Sequence, residues 1–267
     1  DEIEQLEQNG YQEVVLNGIH LGHYGIDLSK GKPKAEWNRL WHLLGDISRR
    51  FPSMRIRLSS LEAAEARDDL IKVIRDHPRV AAHFHLCLQS GSDKILAAMR
   101  RRYTAQGFRE RVHRIREALD TPGFSTDIIV GFPGETEKDF ELLLDWLDEA
   151  KLDRVGCFKY EPVKGAPAND IADAVPQEIK EDRWHRFMKR QQAISAKRLK
   201  RKVGTRQQVI IDEVGPTAAK GRTKGDAPEI DGSVYVASHR PLRVGEIATV
   251  KIERADEYDL HGTVVGF

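Results

Sequence analysis

The feature that most restricts the fold is a repeated exchange, over roughly the first 170 residues, between short apolar runs and longer segments of helical period. Runs at 13–17, 55–59, 83–89, 125–130 and 154–160 have the length and composition of strands. Segments 36–50, 68–75, 92–99, 106–119 and 137–149 space their apolar residues as helices do. Such alternation builds β-α units around a parallel sheet. Five strands at regular intervals predict most of a β/α barrel, with an open doubly wound sheet as the alternative that periodicity leaves standing.

The stretch after each strand is rich in ligand-binding residue types: Asn17-Gly18-Ile19-His20, Ser59-Ser60-Leu61-Glu62, Gln89-Ser90-Gly91-Ser92-Asp93 and Gly131-Phe132-Pro133-Gly134-Glu135-Thr136. In parallel β/α architectures the C-terminal strand ends face the site, so these loops are expected to converge. Taken singly, each loop is explained by turn and cap chemistry, and Thr136 with Asp139 has the form of a helix cap. Four in series favour a site. His20 and His23 read as loop or core histidines, since a pair lacks the third partner of a catalytic metal site.

After Gln177 a charged helix is expected to run to about Lys202, its stripe of Ile179, Trp184, Phe187, Met188, Gln191, Ile194 and Leu199 packing on the barrel. Beyond Gly204 short alternating strands at 207–212, 233–237, 247–254 and 259–265 predict a five-stranded barrel of the oligonucleotide-binding type. The expected domains are therefore 1–204 and 205–267. A net charge of +1 says little about partners, while Arg100, Arg101 and Arg102, and Lys197, Arg198, Lys200, Arg201 and Lys202, make local basic clusters. No run approaches the about 20 apolar residues of a membrane span, so no membrane partner and a cytoplasmic setting are expected. Cys87 and Cys157, each inside a strand-like run, read as core thiols rather than as a disulfide or metal pair.

The run Thr126-Asp127-Ile128-Ile129-Val130-Gly131-Phe132-Pro133-Gly134-Glu135-Thr136 resembles the strand-five motif of radical-SAM methylthiotransferases, which insert a methylthio group using S-adenosylmethionine and two iron–sulfur clusters. Val15 to Gly22, Arg55 to Glu62 and Leu88 to Asp93 are similar to the branch that modifies threonylcarbamoyl-adenosine in tRNA. Asp153 to Tyr160, Asp226 to Gly232 and Asp256 to Leu260 resemble the branch that modifies an aspartate of a small-subunit ribosomal protein, so the chain has the look of a mosaic of the two.

The resemblance implies an α/β fold, an incomplete radical-SAM β/α barrel with a long C-terminal helix, followed by a small all-β TRAM barrel. It implies S-adenosylmethionine and 4Fe-4S clusters as cofactors and a ribosomal protein or tRNA as partner of a monomer. The nucleoside side would be bounded by Gln89, Ser90 and Ser92 and by Val130, Gly131 and Glu135. Ser59, Ser60 and Glu62 would meet ribose, and Arg101 or Arg102 the methionine carboxylate, which a guanidinium matches bidentately. The family's C-x-x-x-C-x-x-C loop, whose thiolates hold three irons, is not in this sequence. As it stands the chain is expected to bind no four-iron cluster, to be inactive alone, and to expose the edge of its first strand. Acids at Asp226, Glu229, Asp231, Asp256, Glu257 and Asp259 favour a basic ribosomal protein over RNA as the ligand of the terminal barrel and the long helix. The rivals are the tRNA reaction and a non-catalytic module that binds RNA or ribosomal protein.

Overall fold

The computed structural model describes residues 1–266. Helix α1 (Glu2–Gln8) precedes β1 (Glu13–Leu16), then α2 (Leu40–Arg50), β2 (Arg55–Leu58), the two-residue β3 (Leu61–Glu62) and α3 (Asp68–Asp76). There follow β4 (His83–Cys87), α4 (Asp93–Ala98), α5 (Ala105–Ala118), β5 (Gly123–Val130), α6 (Glu137–Ala150), β6 (Arg154–Lys159) and the long α7 (Gln177–Lys200). β1 pairs with β2 and β3 through β6 pair in series, every pair parallel, with an isolated Ile56–Val80 bridge linking β2 to the segment that leads into β4. The strand order never reverses, which is the order of a barrel; a doubly wound sheet would reverse at its switch point. Among the described residues β1 has β2 as its one strand partner, so the barrel is incomplete on that side.

Local chemistry moves several boundaries. The helix placed at 36–50 starts at Leu40, because Arg39 is extended and its N–H bonds to His42 Nδ1. β4 stops at Cys87, and Gln89, at φ +75°, turns the chain out of the strand. Ser92 caps α4 instead of opening it. Thr136 caps α6 in a full capping box with Asp139, as its spacing predicts.

The core of the β/α layer is one cluster around Leu44, Ile56, Leu70, Phe84, Phe108, Phe124, Phe140 and Phe187. Gly91 lets helix α6 approach the loop after β4, since a Cβ there would lie 2.6 Å from Leu143 Cα. Helix α7, 24 residues and so about 36 Å long, spans both layers: Phe187 and Ile194 enter the first core and Leu199 the second.

That second core fills a closed barrel of β7 (Arg206–Val214), β8 (Ala219–Arg222), β9 (Val234–Ala237), β10 (Ile247–Ala255) and β11 (Leu260–Val264). Strand β8, absent from the expected set, reads Ala-Lys-Gly-Arg and has no apolar alternation to reveal it. Its place depends on Gly221, where a Cβ would lie 2.2 Å from the Ile210 carbonyl oxygen.

The terminal barrel closes the N-terminal end of the β/α strands. Arg57 donates to the Lys224 carbonyl, Arg55 to that of Gln208, and Arg154 to Asp226 and the Tyr258 carbonyl. Glu13, buried, receives Arg222 at 2.8 Å and Arg57 at 3.3 Å. The opposite end of the strands is left open.

Candidate cofactor site at the barrel mouth

The four polar loops do converge on the open, C-terminal end of the sheet. Each is fixed by a different device. After β2, the Ser59 N–H bonds to the Leu16 carbonyl, tying the loop to the end of β1. The Ser59 Oγ is buried and has no hydrogen-bond partner, a position that costs free energy unless a ligand or water supplies one. Ser60 is exposed. Glu62 forms a 2.8 Å ion pair with Arg101, both side chains about a third exposed, so these two expected residues meet each other at the rim.

After β4, Tyr103 Oη lies within hydrogen-bonding distance of the Cys87 and Leu88 carbonyls, and burial pushes its phenol pKa up. Gln89 exchanges main-chain hydrogen bonds with Asp127 and Ile129, which fix its left-handed backbone. A non-glycine residue at such a φ stores strain of the kind that gathers at binding sites. Ser90 and Ser92 are buried: Ser90 Oγ accepts from the Ser92 N–H, and Ser92 Oγ donates to Asp139 at 2.8 Å. Asp139 also receives Thr136 and Lys94. Burial alone would raise its pKa, but these hydrogen bonds hold it well below the carboxylate range. Ser92 therefore fastens two loops together.

After β5, Val130 is buried and its carbonyl accepts from Tyr160. Gly131, at φ +75°, donates its N–H to Glu135 Oε1 at 2.8 Å, and Arg183 of α7 meets the same oxygen at 2.7 Å. Burial raises the Glu135 pKa, opposed by Gly131 and Arg183. Both hydrogen bonds to the Glu135 carboxylate fall on Oε1, inside the Gly-Phe-Pro-Gly-Glu turn. Nothing in the sequence signals Arg183, 48 positions away in the chain, as its partner.

Below the mouth the lumen is polar. His85 Nε2 lies 3.4 Å from Asp127, its Nδ1 3.0 Å from Ser125 Oγ, and His83 Nε2 3.2 Å from that same hydroxyl. Burial opposes a charged His85, but hydrogen bonds to Asp127 and Cys87 outweigh it and raise the pKa to about 9. Burial and then Arg57 lower that of His83 to about 3. His20 and His23, which lacked a third partner in the sequence, stand beside Glu65 on the rim. Cys87 is half-buried and Cys157 buried, its thiol pushed up by burial and then by Glu135.

A parallel β/α barrel with its polar loops gathered at one end, its first strand paired on one side only and a separate β-barrel at the other end defines a class, and sequence comparison agrees. Residues 12–147 match the model of the radical SAM superfamily and residues 203–265 that of the TRAM domain. The chain belongs to the radical SAM superfamily. Within it, the chain is 49% identical to the ribosomal protein uS12 methylthiotransferase RimO of Bradyrhizobium sp. (strain BTAi1 / ATCC BAA-1182) and 48% identical to that of Rhodopseudomonas palustris (strain HaA2). Both alignments run over 268 residues, covering 100% of this chain and 60% of each relative, and so include the segments that resemble the tRNA-modifying branch. The chain thus spans about three-fifths of the length of these relatives. Among solved structures, Escherichia coli coproporphyrinogen III oxidase (HemN) superposes with a TM-score of 0.48 at 14% identity over 69% of this chain and 49% of that one.

Proposed function

We propose that this chain is the radical-SAM and TRAM portion of a methylthiotransferase that modifies an aspartate of ribosomal protein uS12. The observation that carries this reading is the similarity of 48–49% across the entire chain to proteins bearing that name. The mouth supports it. The buried, unpartnered Ser59 Oγ, the half-exposed side chain of Gln89 on a strained backbone and the rim carboxylate of Glu62 offer hydroxyl, amide and carboxylate partners suited to a nucleoside and an amino-acid group. S-adenosylmethionine, when bound, would supply the methyl group of this chemistry, and a carbon radical only with an electron from a reduced cluster that these residues do not hold. Of this chain's residues, Ser59 and Glu62 would meet the ribose, Gln89 and the Gly131 turn the nucleoside, and Arg101, paired with Glu62, the methionine carboxylate. A four-iron cluster does not fit the two thiols here, because Cys87 and Cys157 lie on β4 and β6 inside the sheet and a cluster needs three converging thiolates. No step is assigned to it in this chain.

A second reading, tRNA as substrate, is favoured by one feature. A cavity of about 490 Å³ between the two barrels is walled by Arg116, Lys151, Arg198, Arg201, Lys202 and Lys224, with Asp153 as its acid. Part of the charge argument for a protein substrate also weakens, since Asp226 and Asp231 are buried against Arg154 and His83 and do not belong to an exposed acidic face. The test is a binding titration of the full chain with uS12 and with tRNA at two salt concentrations. Tighter, less salt-sensitive binding of uS12 is expected. Preference for tRNA, falling steeply with salt as counterion release requires, would make the second reading the better one.

A further inference from the structure

The rim of the mouth holds a group of side chains that the reading above does not use. In the turn after β1, residues Leu21–His23 form a 3-10 helix with His20 at its N-cap, and the His23 N–H bonds to the His20 carbonyl. Side chains at i and i+3 eclipse in such a helix. The two imidazoles accordingly stack, with centroids 3.6 Å apart and planes 12° from parallel. Both present a nitrogen to one carboxylate oxygen: His20 Nδ1 is 2.9 Å and His23 Nε2 3.5 Å from Glu65 Oε1. That carboxylate is set in place from behind, its Oε2 accepting the Glu62 N–H at 3.0 Å. The oxygen facing the histidines is buried and receives no well-formed hydrogen bond. Between the histidines the chain has Gly22, where a Cβ would fall 2.2 Å from Glu65 Cδ, so only glycine leaves room for the carboxylate.

We propose that His20, His23 and Glu65 bind one divalent transition-metal ion, zinc(II) being the ion the donor set fits best. Two imidazole nitrogens and one carboxylate are the protein ligands of an open zinc site, with bonds of about 2.0–2.2 Å. Donors at such distances around a tetrahedral ion stand roughly 3.3–3.5 Å apart, close to the His20–Glu65 and His23–Glu65 separations found here. The half-exposed imidazoles must turn out of their parallel stack to aim both in-plane lone pairs at one ion. The Glu62 N–H fixes the outer oxygen of the carboxylate, as second-shell donors do for metal ligands. The half-exposed histidines leave the fourth position open to solvent at the mouth. Bound there, the ion pins the loop after β1 to the turn after β3, next to the Glu62–Arg101 pair. This inference stands apart from the assignment of substrate and needs no cluster.

Cobalt(II), whose visible spectrum reports coordination, is the probe for the test. The metal-free chain, never exposed to iron or sulfide, is titrated with cobalt(II) and then with zinc(II). One cobalt per chain is expected, with visible ligand-field bands, no near-ultraviolet thiolate charge transfer, and displacement by one equivalent of zinc. His23→Ala and Glu65→Gln should each weaken binding at least ~10-fold, while His113→Ala, on the exposed face of α5, should not. Circular dichroism of the apo variants confirms that their fold is kept, and Glu65→Gln retains an acceptor for the Glu62 N–H. No saturable binding, a thiolate band implicating Cys87 or Cys157, or equal affinity in the wild type, His23→Ala and Glu65→Gln would each overturn the proposal.

Discussion

Arg183 and Glu135 show how the Gly-Phe-Pro-Gly-Glu turn is held. Both side chains are almost wholly buried, and the pair fastens the turn after β5 to helix α7. Arg183→Ala leaves a carboxylate buried without its cation, and such losses run to about 3–5 kcal/mol. Urea unfolding should show that loss, with Glu135→Gln added to Arg183→Ala recovering part of it; additive effects would mean the two are not coupled. The lumen histidines make a second case. His85, raised to about 9 in the fold from an ordinary 6.5, adds stability that is complete below pH 6.5 and lost as pH rises through about 9. Asp127 is 41% exposed, so the contribution is on the order of 1–2 kcal/mol. Asp127→Asn should therefore cost stability at pH 6 and little at pH 10, and an equal cost at both would contradict the assignment. At this scale the sequence was informative about residue types and silent about partners. Ser92 and Glu62 were legible as polar residues after a strand, and Arg101 as part of a basic cluster. Their engagement with Asp139 and with each other depends on chain positions about 40 residues apart that periodicity cannot bring together.

At the scale of elements, strands and helices with a strong period were legible, and those set by a single backbone angle or a close approach were not. Helix α6 was readable because Thr136 and Asp139 cap it and seven of its residues are buried at helical spacing. Strand β8 was not, having four residues and a glycine that serves packing instead of alternation. The end of β4 is set by the Gln89 backbone, which side-chain patterns do not reveal. Gly91 tests how tightly the loop after β4 is held against α6. Since Leu143 Cα is backbone, Gly91→Ala cannot be relieved by a rotamer change, and a destabilisation of about 1–3 kcal/mol is expected. Gly107→Ala, at the start of α5, meets only the Thr104 hydroxyl at 3.3 Å and serves as the comparison. Equal midpoints for the two variants would show that the α6 contact yields without cost.

At the scale of the whole molecule, the two barrels are joined by charge as well as by helix α7. Glu13 is shared by Arg55, Arg57 and Arg222. Burial opposes its ionised form, yet the three guanidiniums hold its pKa below the ordinary value. Glu13→Ala would leave three arginines in a buried interface without their common anion, so thermal unfolding should turn from one transition into two as the barrels uncouple. A single transition at the wild-type temperature would show that α7 alone couples them. This arrangement puts the terminal barrel at the foot of the strands, and β5, eight residues long, separates it from the mouth by roughly 25 Å. A substrate held by the terminal barrel must reach round the side of the β/α layer to meet the loops. The sequence displayed both modules but not this opposition, because Glu13, Arg57 and Arg154 lie inside strand-like runs and no periodicity pairs them with Arg222, Lys224 and Asp226.

The claim on which the rest depends is that the open end of the barrel is an S-adenosylmethionine site. Calorimetric titration of the full chain with S-adenosylmethionine tests it most directly, with Ser59→Ala and Glu62→Gln at the mouth and Arg201→Ala at the far end. The account predicts saturable one-to-one binding, weakened at least ~10-fold by either mouth substitution, as expected when a hydrogen bond to a charged or buried group is lost, and unchanged by Arg201→Ala. Absent binding, or binding that responds to Arg201→Ala and ignores Ser59→Ala and Glu62→Gln, would contradict it.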